Sequence, residues 1–479
     1  MIAKVKSFVM HGVEAVPVTV ECEVSAGIGI HVVGLADSAV KECLLRTVTA
    51  MQAQGYHLPG KKVLVNIRPD VAGRTVAGCG LDLPVALAIL SASGQAPAIL
   101  SGDVFAGELG LDGSLRAVTG STCALVMTAR NGLKTLVLPA ADAARAVFDA
   151  GSAACGVTTY AVRTLAEAVA LLSEEGGTLA QKTPEYAQFQ EQAAKTYRSV
   201  VVGTTELLLA AEVAAAGAFP LAVACEEGVD IDLVSAGTLL SRLLIPGDAV
   251  EKACIHAAAR HFTPKGVPVY AISPEMSTAA IAGGGHGAFL TPGYVTLAHG
   301  GVLVLSHAEA FPKSRLEMLQ RIHEDGAVTL ARLHSSVTMP AAFRPVVVYD
   351  ATKGLPAALR EMFEEGRYVH VTLRKEDLRQ ITEDELAAAR ERVAKASPTD
   401  ADVPNARIEA RDVPKDFGPS ANRLVQLLIQ NGRLSARYVT QLWRVARTVA
   451  DLEGNTGIMP DDYCTAAVIS LKADITEAW

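Results

Sequence analysis

Two early stretches, "VPVTVECEV" and "KKVLVNIRP", carry apolar residues at every second position, the period of a strand with one covered face. Between them "DSAVKECLLRTVTAMQAQG" repeats apolar residues at helical spacing and stops at Gly55, a residue suited to ending a helix. "LDLPVALAILSASG" is apolar almost throughout, which predicts a helix buried on several sides. "KTLVLPAADAARAVFDAG" reads as a strand followed by a helix. This succession predicts an α/β domain over residues 1–175. A polar, Gln-rich stretch follows, and residues 176–195 are expected to be a linker.

A second pattern starts near residue 196. "ELLLAAEVAAAGAFP" is rich in strong helix formers. "LAVAC", "GVLVLS" and "FRPVVVYD" are short apolar runs separated by helical stretches, the rhythm of a parallel sheet covered on both faces. "EDELAAARERVAKAS" predicts an amphipathic helix and closes this domain at about 395. Residues 396–415 read as a Pro- and Asp-rich loop, and 416–479 as three helices around "SANRLVQLLIQNG", "SARYVTQLWRVARTVADLEG" and "MPDDYCTAAVISLK".

Composition narrows the function classes. The chain has 479 residues, half of them apolar, which suits several packed cores rather than disorder. Its formal charge of −8 argues against a surface that coats nucleic acid, while leaving room for a local basic groove. The eight cysteines are scattered without a C-x-x-C pair, so reduced, mostly buried thiols are expected and a zinc site is not. The N-terminal stretch is interrupted by His11 and Glu14, unlike the apolar core of a signal peptide. No long uncharged apolar run predicts a membrane span, and a cytoplasmic location is expected.

Several segments then carry a resemblance. "GIHVVGLADSAVKE", "KKVLVNIRPDVAG", "GLDLPVALAILSASGQ" and "FAGELGLDGSLRAVTG" lie in the first domain. "LLLAAEVAAAGAFPLAV", "AAIAGGGHGAFLTPGYVTLAHGGVLVL" and "LEMLQRIHEDGAVTLAR" lie in the second, and "LSARYVTQLWRVARTVADLEG" in the third. In this order they resemble the ComM/YifB family of magnesium-chelatase-like AAA+ proteins over nearly the whole chain. The resemblance implies an N-terminal ribosomal-protein-like α/β domain of the kind used by Lon protease. It further implies an AAA+, P-loop NTPase-like parallel-sheet α/β domain and a C-terminal helical lid. The family is expected to form hexameric ATPases that drive DNA branch migration in natural transformation.

The residues that would handle the nucleotide have changed. A phosphate loop needs glycines, a lysine for the β/γ oxygens and a hydroxyl for Mg²⁺. In "LAVACEEGVDIDLVSAG", Cys225 stands at the resembling first glycine and Gly228 keeps an inner one. Ile231 takes the lysine position and Asp232 the hydroxyl position. Glu226, Glu227, Asp230 and Asp232 bring four carboxylates where a triphosphate would lie. At about 4 Å like charges repel by roughly 4 kcal/mol at an effective dielectric near 20. Ser306 and His307 replace the acidic pair expected after "GVLVL", and their predicted role is to cap the following helix. Asp350 stands where the first sensor would be an amide. Gly366 occupies the trans-acting arginine position, with Arg367 one residue late, and Arg437 matches the second-sensor arginine. ATP and Mg²⁺ are the family's cofactors; none is expected here.

Other motifs give weaker expectations. A Ser–Lys dyad in the first domain would need groups where Cys79, Thr122 and Cys123 stand, so peptidase activity is not expected. "EDGAVTLARLHSSVTMPAAF" predicts a β-hairpin, with Arg332 and His334 as candidate contacts to DNA. "AGGGHGAFLTPG" is expected to be a flexible loop between subunits or at a pore. The leading expectation is a catalytically dead ring scaffold or regulator, either a homo-oligomer such as a hexamer or mixed with an active paralogue. The alternatives are an ATP-dependent DNA motor with an atypical site and an oligomeric protein-interaction module.

Overall fold

A computed structural model describes residues 2–34, 38–69, 80–99, 102–173, 178–179, 201–286, 289–332, 335–362, 368–396, 404–430 and 438–470. The first 179 residues build an eight-stranded sheet from β1 (Ile2–His11), β2 (Glu14–Ser25), β3 (Gly29–Gly34), β4 (Lys62–Pro69), β5 (Asp103–Phe105), β6 (Thr135–Pro139), β7 (Thr158–Val162) and β8 (Thr178–Leu179). Their order is β8-β7-β6-β5-β1-β2-β4-β3. The last of these strands falls inside the expected linker, because Thr178 and Leu179 pair antiparallel with Ala161 and Tyr160.

Helices α1 (Ser38–Ala53), α2 (Asp82–Ser93), α3 (Ser121–Arg130), α4 (Ala140–Ala150) and α5 (Leu165–Leu172) cover this sheet. Strand β1 shows how. Val5 and Val9 share one core with α2, whereas Phe8 and Met10 share another with α3 and α4. The alternation at the start of β1 therefore gives way to a continuous buried run, Ser7–Met10, where both faces are covered. Helix α2 is buried from Asp82 to Ala92, and Arg46 neutralises Asp82 with hydrogen bonds of 3.0 and 3.2 Å.

The second sheet is parallel throughout. Its strands are β9 (Leu221–Cys225), β10 (Val269–Ile272), β11 (Val302–Leu305), β12 (Arg344–Asp350) and β13 (Val369–Leu373), in the order β10-β11-β12-β9-β13. Around it lie α6 (Thr205–Gly217), α7 (Ala236–Leu243), α8 (Ala249–Ala258), α9 (Lys313–Asp325) and α10 (Glu383–Ala396). The Thr204 hydroxyl starts α6 by accepting from the Leu207 N–H at 3.0 Å. The helical segment α11 (Pro419–Gln430), α12 (Val439–Glu453) and α13 (Pro460–Ser470) joins the same core, through Leu442, Val445, Val449 and Tyr463. Arg444 of α12, fully buried, donates to the Ile408 carbonyl and so ties the helices to the preceding loop. Among the described residues no helix is long and apolar enough to cross a membrane.

The two sheets are joined through α8, which packs against α3 and α4. Ala257 and Ala258 enter the core formed by Phe8, Leu125 and Ala146. Arg260 donates to the Thr119 hydroxyl at 2.6 Å, and the Thr263 hydroxyl meets Asp149 at 3.2 Å. At the β1–β2 turn, Gly12 has φ +62°, and a Cβ there would stand 2.5 Å from Val337. Only glycine lets this turn rest on the hairpin of the second unit.

One buried charge holds α6 to α10. Glu212 is 3% exposed and receives the Arg392 guanidinium through hydrogen bonds of 2.8 and 2.7 Å. Removing the partner strands a carboxylate in the core, while the half-exposed arginine moderates the loss. Arg392→Ala is expected to destabilise this unit by about 2 kcal/mol, and Arg392→Lys by less. Urea denaturation followed by tryptophan fluorescence checks this, since Trp443 packs against the same core.

Candidate nucleotide site at the strand tips

In an open parallel sheet, ligand crevices lie beyond the carboxyl ends of the strands, where the strand order reverses. Here β9, first in sequence, lies between β12 and β13. The register sets Cys225 beside Asp350 and Leu373, and Leu305 beside Val347 one strand further along. The fold thus gathers Cys225, Gly228, Ile231, Asp232, Ser306, His307 and Asp350 at one end of the sheet. Gly366, Arg437, His334 and Cys79 lie outside the described residues.

The loop after β9 is closed on itself. Gly228 takes a left-handed φ of +88°. The Glu226 N–H donates to the Leu373 carbonyl at 3.0 Å, and the Val229 N–H to the Glu226 carbonyl at 3.1 Å. The Asp232 N–H donates to the Asp230 carboxylate at 3.1 Å, and the Val234 N–H to the Ile231 carbonyl at 3.2 Å. These are the kind of backbone donors that a phosphate loop turns toward its ligand. Val229 and Ile231 pack against the core instead of opening a cradle. The next helix, α7, begins only at Ala236, after a short 3-10 turn over Ile231–Leu233.

The tip of β11 departs from the expected cap. His307 has φ +54°, and neither it nor Ser306 places a side-chain hydrogen bond on the short 3-10 turn Ala308–Ala310. The imidazole instead approaches carboxylates, with Nε2 3.5 Å from Asp232 and Nδ1 3.9 Å from Glu309. A capping side chain would have to reach forward along the turn, which this φ prevents.

Three residues missed from the sequence complete the site. The Glu309 side chain is only 7% exposed; Lys353 approaches it at 3.6 Å and reaches Asp350 at 3.7 Å. Glu309 also accepts the Asp350 N–H at 3.3 Å. Arg374, at the end of β13, meets Glu226 at 3.2 Å, so that acid of the loop is matched by a cation of the chain. Hydrogen bonds from Thr352 hold the Asp350 carboxyl below its usual range, with Lys353 adding to the effect. Burial, and then the charges of Glu309 and Asp350, push the Cys225 thiol up to about 12. The outer pairs are solvent-exposed and individually of small energetic weight. Their effect is to occupy the strand tips with the chain's own charges.

This donor set does not fit a magnesium–triphosphate. Ile231 and Asp232 offer neither an ammonium nor a hydroxyl, the N–H groups of Glu226, Val229, Asp232 and Val234 are engaged within the chain, and the Lys353 ammonium approaches both tip carboxylates. Among the described residues no group of His, Cys, Asp and Glu is arranged to hold a metal ion.

The remaining candidates are placed as follows. Thr122 and Cys123 are both buried on α3, away from any attacking position. Arg332 ends the first strand of the predicted hairpin, Ala327–Arg332 paired antiparallel with Ser335–Pro340. Val328, Val337 and Met339 fix its inner face to the core. The glycine-rich loop is not free: Gly283–His286 pairs with Phe289–Pro292 as a second hairpin. A Cβ at Gly293 would stand 2.3 Å from the Gly283 nitrogen, so glycine serves close packing there.

Comparison with known proteins agrees along the chain. Residues 20–142 match the family described as subunit ChlI of Mg-chelatase, and residues 198–358 match magnesium chelatase, subunit ChlI. Residues 376–469 match its C-terminal region. A Mycobacterium tuberculosis protein described as uncharacterized is 30% identical, covering 96% of this chain and 97% of its own length. Escherichia coli YifB is 31% identical over 71% of this chain and 66% of its own. The competence protein ComM of Haemophilus influenzae is 27% identical over 93% of each.

A thiol held protonated and buried at the tip of β9 should resist alkylation. In the native protein at pH 8, iodoacetamide is expected to label the exposed Cys155 and Cys464 and to spare Cys225, as read by peptide mass spectrometry. Rapid labelling of Cys225 would mean that the loop opens.

Proposed function

The chain belongs to the ComM/YifB family of magnesium-chelatase-like proteins, and from that premise we propose that it is an inactive ATPase of this family, acting as a ring scaffold or regulatory subunit. The observation that carries the reading is Lys353 lying between Glu309 and Asp350 at the strand tips. An ammonium in that place gives the two carboxylates a cation partner, as a metal ion would otherwise do. The closed loop after β9 supports the same reading, because Val229 and Ile231 contribute to the core. Nucleotide handling has given way to packing and internal charge pairing.

The cores tell against simple decay. Apolar runs fill both sheets and the helical segment, while the positions that resemble phosphate and Mg²⁺ contacts carry other residue types. Loss of an unneeded protein would spread across cores and sites alike. Selection on shape without turnover fits a subunit whose partners are copies of itself or an active relative. Competence-related DNA processing is the setting suggested by the name of the Haemophilus relative.

Calorimetric titration with ATP and Mg²⁺, combined with the mass of the protein in solution, tests the proposal. The expected result is no binding at millimolar ATP together with a ring-sized or mixed assembly. Micromolar binding would overturn it and favour a working motor, to be assayed next on branched DNA. A monomer without binding would overturn the ring scaffold, and a ring that binds neither ATP nor an active relative would favour an oligomeric interaction module.

A further inference from the structure

The contact between the two sheet units contains a pair of thiols. Cys123 lies on α3 and Cys254 on α8, separated by 131 positions in the chain, and the Cys123 Sγ–H donates to the Cys254 carbonyl at 3.3 Å. The two side chains lie near enough for each to shift the titration of the other. Cys123 is 3% exposed, while Cys254 is only partly buried and open to small reagents. Both are free.

The surrounding contacts fix this approach from several sides. Arg260 holds Thr119 at 2.6 Å just before α3, and Thr263 holds Asp149 at the end of α4. The Arg145 guanidinium lies 5.3 Å over the Phe262 ring and donates to the His261 carbonyl. Ala257 and Ala258, small residues on α8, let that helix settle closely on the first unit. The sulfurs are therefore held together by packing that does not depend on them, the condition under which an intramolecular thiol reaction is fast.

We propose that Cys123 and Cys254 are an oxidisable pair that forms a reversible disulfide latch between the N-terminal unit and the parallel-sheet unit. The oxidant class is a peroxide. The Cys254 thiolate attacks one peroxide oxygen, giving a sulfenic acid and releasing hydroxide, which takes up a proton as water. The Cys123 sulfur then attacks the Cys254 sulfur and loses its proton, and the hydroxyl leaves as a second water. Two thiols and one hydrogen peroxide yield one disulfide and two waters. The order follows from the surroundings. The approach of the two side chains lowers the Cys254 thiol, with Arg130 adding to the effect, and raises Cys123, where burial acts the same way. A bound thiol reductant reverses the latch by exchange.

The consequence is mechanical. A bridge across 131 positions cross-links two units that otherwise meet through side-chain contacts, so their relative movement is restrained. This inference does not rest on the state of the nucleotide site.

The test uses the full-length chain with the exposed Cys155 and Cys464 changed to serine, which leaves six thiols. After hydrogen peroxide treatment, the free-thiol count of the unfolded protein should fall from six to four. A non-reducing peptide map should then show the Cys123 peptide linked to the Cys254 peptide. Dithiothreitol should restore all six, and the oxidised form should melt several degrees higher. Cys254→Ala should abolish both the link and the rise in Tm. A bridge between different chains, a link to any other cysteine, or over-oxidation of Cys254 with Cys123 still free would overturn the proposal. The wild-type map alone decides the matter if the variant folds poorly.

Discussion

Burial of five parallel strands on both faces is the constraint on which the rest depends. Every inward position of β9, β11 and β12 must be apolar, so polar chemistry can emerge only where the strands end. The strand order then decides which ends are neighbours. With β9 between β12 and β13, Glu226 is brought beside Arg374, and Asp350 beside Glu309. The same burial demands that any charge within the helical layer be matched, and Arg392 does so for Glu212. Fold and site are consequences of a single rule: apolar runs make the sheet, and the loops beyond them receive whatever charges the chain has.

Much of the architecture is legible in the residues. Alternation in "VPVTVECEV" and continuous apolar runs such as "LAVAC" mark strands because period and burial are local properties of the chain. The positions at the strand tips are legible too, since they follow directly from where each run stops. The charge partners are not. Lys353 meets Glu309 from a loop beyond the next strand, and Arg374 meets Glu226 across 148 positions. Neither pairing has a period. Glu309 was within reach, only two residues past His307. Its burial, however, depends on the 3-10 turn that folds it back against β12, and nothing in "SHAEAF" announces that turn. The glycine-rich segment misleads for a related reason. Its glycines suggest freedom, yet two of them are needed so that backbone can lie against backbone.

The two sheet units are more than beads on a string. The turn at Gly12 rests on Val337 and Met339 of the β-hairpin, and Val13 reaches the same core. On another side α8 enters the core of α3 and α4. The hairpin is thereby braced from below by the N-terminal unit. A displacement of one unit against the other must deform one of these contacts. Apolar surface on both sides makes that costly, so the contacts carry force between the units.

On the proposed reading, the loop after β9 gives up a site without harm to its fold. A working phosphate loop leaves its N–H groups unpaired until the ligand arrives, and its glycines contribute no packing. That arrangement is unfavourable for the empty protein. Here Val229 and Ile231 add apolar contact, and the N–H groups of Glu226, Val229 and Asp232 have partners within the chain. Each change favours the folded state over the ligand-ready one. Lys353 follows the same logic at the opposing tips, because a tethered ammonium is always present, whereas a metal ion must be bound from solution. The chain's own charges and apolar side chains thus complete both ends of the crevice.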